Sequence, residues 1–147
     1  MIQISRYDKY DPVDGGFRAA LAAAWTATSG PAGVTDLNRI LVVGLDANGK
    51  VIKATTALLA RGIAIVTRAM AAGDVVDVMT DGEVVELAAA DLQAATAPIA
   101  GTQYIFEATA ARLAAEAGAP TAGTNFYRVG HTVESTRLVV RTRLMQG

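Results

Sequence analysis

The sequence predicts a mainly β fold, a small antiparallel β-barrel or sandwich of about eight short strands. Three observations carry this expectation. Apolar, β-branched runs of about four to eight residues recur along the chain, bounded by Gly, Pro, Asn or Asp. Two of the boundaries, Asn48-Gly49 and Asp81-Gly82, are dipeptides that favour tight hairpins. The helices of about 10–15 residues that a parallel α/β fold needs between successive strands are missing.

Residues 61–87, RGIAIVTRAMAAGDVVDVMTDGEVVEL, sit at the centre of this pattern. Strands are predicted over 62–67, 75–79 and 83–87. Ala71-Ala72-Gly73-Asp74 breaks the first from the second. Asp81-Gly82 is predicted to close the last two into a type I′ hairpin, whose central residues both need φ > 0. Gly tolerates that conformation, and Asp tolerates it better than most.

Upstream, residues 39–45, RILVVGL, form a nearly continuous apolar strand. The turn 46–49 returns the chain into a strand over 50–54, so a hairpin is expected here. Residues 55–60 connect it to the central segment. Downstream, 88–100 is poor in β-branched residues and contains Pro98, which predicts a loop or a short helical turn over 89–95. Within 101–109 lies a strand with Tyr104 and Phe106 on one face and Ile105 on the other. Residues 110–118 are helix formers, closed by Pro120 and Gly123. The strand 126–133 carries Gly130 at its middle, a candidate bulge or point of close backbone approach. In 137–145, Leu138, Val140, Thr142 and Leu144 alternate with Arg137, Val139, Arg141 and Arg143. A half-buried strand with one charged face has that pattern.

Residues 1–35 differ from the β domain of 36–147. Charges, Pro12 and Gly15-Gly16 make 1–16 an extended arm. Its tyrosines, Tyr7 and Tyr10, suit a contact surface, either on a neighbouring subunit or against the chain itself. In 17–26, FRAALAAAWT, the spacing of Phe17, Leu21 and Trp25 at i, i+4 and i+8 predicts a short amphipathic helix filled by Ala. Trp25, the sole tryptophan, fits a core anchor first and an interface anchor second. TSGPAG at 28–33 reads as a linker.

Composition narrows the function. At 147 residues the chain suits one domain with a core. Its apolar share is 52% but its aromatic share only 5%, so the core is built from many small Ala and Val contacts, and contact with other subunits should help it. A net charge of -1 gives no basic excess for nucleic acid. Without cysteine there are no disulfides, thiol nucleophiles or cysteinyl metal sites. No apolar h-region opens the chain, and no run long enough to span a bilayer occurs, so a soluble, cytoplasmically made protein is expected, with no membrane partner.

Catalytic constellations are weak. His131 is the only histidine, and no G-x-S-x-G accompanies it. Asp74, Asp77, Asp81, Glu83 and Glu86 lack the spacing of a calcium loop; turn and solvent-facing roles explain them better. Neither a cofactor nor a metal is expected. Arg137, Arg141 and Arg143, with Arg128 upstream, line one side of the last strands. They are a solvated face or a contact for an acidic partner surface. A polar pocket joining His131 to a carboxylate would favour an enzyme.

From Gly44 onward the order of elements resembles the tailed-phage capsid decoration, or cement, proteins with a β-tulip-like domain. The resemblance runs through Val-Gly-Leu-Asp-Ala-Asn-Gly-Lys-Val at 43–51, Gly62-Ile63-Ala64, and Ala71-Ala72-Gly73-Asp74-Val75-Val76. It continues with Ala100, Gly101, Thr102 and Tyr104, then Arg-Val-Gly-His-Thr-Val-Glu at 128–134 before the last strand. The chain departs from the shortest members in its first 35 residues and in the Ala-rich insert 108–123. The resemblance implies a non-enzymatic virion protein on the outer capsid surface, a homotrimer clamping neighbouring major capsid subunits. Tyr7, Tyr10, Phe17, Trp25, Arg137, Arg141 and Arg143 are the expected capsid or subunit contacts. A head–tail or tail-tube module is the alternative, and a small β-fold enzyme or ligand carrier the third. Ala-, Gly- and Arg-rich usage suits a high-GC host such as an actinobacterium.

Overall fold

The structure, a computed structural model, describes residues 15–27, 35–107, 112–116 and 123–146. Ten strands occur among them: β1 (Gly16–Ala20), β2 (Leu41–Leu45), β3 (Val51–Lys53), β4 (Ala60–Ala64), β5 (Val75–Met79), β6 (Asp81–Glu86), β7 (Gln103–Phe106), β8 (Ala114–Ala115), β9 (Phe126–Thr132) and β10 (Arg137–Met145). Helical structure among the described residues is limited to 3-10 turns at Ala57–Leu59 and Ala89–Asp91 and to 3-10 backbone at Glu116. The mainly β, antiparallel expectation holds.

The strands form two five-stranded sheets, ordered β1-β5-β4-β2-β3 and β6-β10-β9-β7-β8. The first curls until its edges meet: Leu21, just after β1, bridges Val51 of β3, and the Ala22 N–H donates to the Val51 carbonyl at 2.9 Å. One apolar core joins both sheets. Val42, Val43, Ile63 and Val78 enter it from the first sheet, and Tyr104, Phe106, Val129, Leu138 and Val140 from the second. Fully burying a side chain of this size contributes about 1.5–3 kcal/mol.

The hairpin at Asn48-Gly49 forms. Val43 pairs with Lys53 and Leu45 with Val51. Asp46 holds the loop by accepting from the Asn48 and Lys50 N–H groups at 2.8 and 2.9 Å, and Gly49 supplies the positive φ of +74°. The last strand alternates as expected through Thr142, with Leu138 and Val140 buried and Arg137 and Arg141 exposed; Leu144 is 43% exposed.

Two expectations are corrected. Residues 17–26 are not a helix. Gly16–Ala20 is strand β1, paired with β5 through Phe17↔Val78 and Arg18↔Asp77, and Trp25 bridges Met70 with two 2.9 Å hydrogen bonds. A spacing of four residues is a multiple of the strand period as well as near the helix period, so Phe17, Leu21 and Trp25 also lie on one face of an extended chain. Sheet pairing overrides the alanine propensity.

Asp81-Gly82 is not a hairpin turn either. β5 and β6 belong to different sheets, and the chain passes between them at Thr80. Gly82 has φ +88°, but Asp81 is not in the left-handed region, so a type I′ turn does not form. The backbone groups that would close such a hairpin have other partners. The Thr80 and Asp81 N–H groups donate to the Gly15 carbonyl at 2.7 and 2.8 Å. The Thr142 N–H and hydroxyl donate to the Thr80 carbonyl at 2.9 and 2.8 Å. Thr80 is therefore a corner stitched to both sheets.

The helix-forming stretch 110–118 is described only over 112–116, where Ala114–Ala115 is β8. The linker 28–33 lies outside the described residues.

Candidate functional site

Register irregularities in the second sheet lie along one groove on its surface. β10 pairs with β9 through Val139↔His131 and Val140↔Gly130, then shifts to Arg143↔Arg128. At the same level β10 shifts against β6 between Val139 and Arg141, and β9 shifts against β7 opposite Tyr104 and Ile105. Bulges bend a sheet and re-aim its side chains. Gly130 sits at the bend because a Cβ there would lie 2.0 Å from the Val139 carbonyl oxygen. The close approach expected at this glycine is what the structure shows.

The result is an open groove of about 540 Å³. Arg128 and His131 enter it from β9, Arg141 and Arg143 from β10, and Gln103 from β7; Thr80, Asp81 and Thr142 form its corner end. Three guanidinium groups and an imidazole thus face one carboxylate. Glu116 holds Arg128 in a two-pronged ion pair at 2.5 and 3.2 Å. Arg141 and Arg143 enter no ion pair among the described residues. The groove has the chemistry to bind carboxylates or other oxyanions through Arg141 and Arg143.

His131 is half-buried in this groove and makes no hydrogen bond or ion pair with a carboxylate among the described residues. Nor do three or more His, Asp or Glu side chains converge there in metal-binding geometry. Below the groove, the phenol of buried Tyr127 accompanies the Thr142 hydroxyl. Burial raises its pKa above the usual tyrosine value, while the Thr142 hydrogen bond and the Arg61 charge pull the other way.

The structure brings together only part of the contact set expected from sequence. Arg141 and Arg143 share the groove. Arg137 lies outside it, opposite Glu86 and 3.7 Å from Glu134. Phe17 is half-buried on β1 and packs on the core. Trp25 is 2% exposed, so in this chain it takes the core-anchor role. Tyr7 and Tyr10 lie outside the described residues. The acidic residues of the central segment separate. Asp74 caps its turn by accepting from the Ala71 N–H at 2.9 Å, and Asp77 pairs with Arg18 at 2.6 Å. Asp81, Glu83 and Glu86 stand exposed on edge strand β6.

Sequence reasoning missed Gln103, Thr80 and Thr142 as parts of the groove. Only Gly130 signalled from sequence that the sheet would be irregular here.

No helix among the described residues is long and apolar enough to cross a membrane. No protein-family model matches the chain, and no curated protein matches it. Among solved structures it is similar to a protein of Mycobacterium phage Patience, with a TM-score of 0.60 and 18% identity over 95% of this chain and 96% of that one. At that identity the likeness establishes a shared fold: the chain has the mainly β architecture of a mycobacteriophage protein.

Proposed function

We propose that this chain is a capsid decoration protein of a tailed bacteriophage. It binds the outer surface of the expanded head as a trimer and clamps neighbouring major capsid subunits. The observation that carries the reading is the fold shared with a mycobacteriophage protein. The source of that neighbour also agrees with the high-GC actinobacterial host suggested by composition. The surface chemistry fits a binding role: in the basic groove, Arg141 and Arg143 enter no ion pair among the described residues.

Residues 1–14, with Tyr7 and Tyr10, join the fold at Gly15, whose carbonyl accepts from Thr80 and Asp81 at the end of the groove. The groove takes an acidic surface of a capsid subunit. Linking several modest contacts through one trimer raises overall binding by about 10²–10⁴-fold over a single contact.

The test uses expanded heads that lack the protein. Adding the purified chain should produce trimeric density on the outer capsid surface by cryo-EM and raise the temperature at which heads release DNA. Heads with no added density and unchanged heat resistance would rule the proposal out.

A further inference from the structure

Edge strand β6 and the basic groove answer each other. Among the described residues β6 pairs only with β10, which leaves the backbone of its other edge without a strand partner there from Gly82 to Glu86. A five-residue stretch of open edge is a template for association unless something covers it. Val84 in its middle is 56% exposed. Glu83 and Glu86 flank Val84 and enter no ion pair among the described residues, although Glu86 lies opposite Arg137. Successive residues alternate sides, so these two carboxylates straddle the edge and present charge on both flanks. The groove offers the opposite charge: Arg141 and Arg143 enter no ion pair among the described residues, and Arg128 is fixed by Glu116.

We infer that edge strand β6 of one copy seats Glu83 and Glu86 in the Arg141–Arg143 groove of a second copy. The contact joins two different patches, so it is heterologous, and a rotation that closes turns it into a ring such as the proposed trimer. It covers the open edge and desolvates Val84 while giving each arginine a carboxylate. The inference rests on the reading that the protein works as a homo-oligomer, and it specifies the surfaces that build the oligomer.

Charge reversal tests it. E83R/E86R and R141E/R143E replace exposed residues, so both variants should keep the wild-type CD spectrum and melting temperature. Sedimentation velocity should show a wild-type oligomer, with each reversed variant dissociating at concentrations at least about tenfold higher. The chain carrying all four substitutions, with basic edge and acidic groove, should recover the oligomer. Raising salt from about 0.15 to about 1 M, which shortens the screening length from about 8 to 3 Å, should weaken the wild-type oligomer.

A wild-type chain that stays monomeric would overturn the inference. So would reversed variants of wild-type mass, or a four-substitution chain that stays dissociated. Head binding by the same wild-type preparation separates this from the decoration proposal. Rescue of the oligomer without head binding keeps the inference and removes the decoration reading. Head binding with charge-insensitive association removes the inference alone.

Discussion

Asp91 shows what a single buried carboxylate does here. It is 4% exposed, and its two oxygens accept from the Ile40 N–H at 2.9 Å and the Ala88 N–H at 2.8 Å. It thereby fixes the entry to β2 against the turn that follows β6. Asp91→Ala strands the buried Ile40 donor, so the urea midpoint should fall by the equivalent of about 1–3 kcal/mol. Gly130→Ala should cost a similar or larger amount, about 1–3 kcal/mol or more, because the Val139 carbonyl occupies the place of the new methyl. Denaturation curves of both variants check these values. Tyr127 sets a pH dependence. Its folded-state pKa is raised, so the unfolded chain loses the phenolic proton first as pH climbs. Stability from this group is full below about pH 10 and declines above it. Comparing urea unfolding near pH 9 and pH 11 should show the loss, and Tyr127→Phe should reduce it.

At the scale of elements, β1 is the sharpest case. Phe17, Ala19 and Leu21 turn inward and Arg18 outward, which is a strand's alternation. The far-UV CD spectrum of the protein should accordingly lack a helical double minimum. Trp25→Ala should cost about 3–5 kcal/mol, since it empties a core position. Arg18→Ala should cost less than about 1 kcal/mol, because its ion pair with Asp77 is 75% and 69% exposed. If the arginine mattered more than the tryptophan in thermal melts, the inward face of β1 would be wrongly assigned. The hairpin at Asn48-Gly49 was legible from sequence because its partner strands are adjacent and its loop supplies its own hydrogen bonds. The corner at Thr80 was not, because its bonds run to Gly15 and Thr142, some sixty residues away.

At the scale of the whole molecule, the two sheets share one core and several seams. Leu21 and Trp25 from the N-terminal region lie in the same cluster as Ile63, Tyr104 and Leu138. Such a core should unfold as one unit. Trp25 fluorescence, reporting on the first sheet, and far-UV CD, reporting on both, should give coincident urea transitions. Separate midpoints would show that the sheets unfold independently. The groove is also a property of the whole. It needs bulged pairings of β10 with β6 and β9, and of β9 with β7, and a corner contributed by Thr80 and Asp81.

Local chemistry determined the β class, the Asn48-Gly49 hairpin, the close approach at Gly130 and the charged side of the last strand. Each depends on near neighbours in sequence: side-chain alternation, turn residues, a missing Cβ. Tertiary structure decided the rest. It made Gly16–Ala20 a strand, because a four-residue spacing serves both periods and pairing with β5 chose between them. It sent β5 and β6 into separate sheets, because distant carbonyls and hydroxyls took the bonds of the expected turn. It gathered Arg128, Arg141 and Arg143 around one groove and left Arg137 outside, because register shifts, which alternation alone does not encode, set which side chains meet.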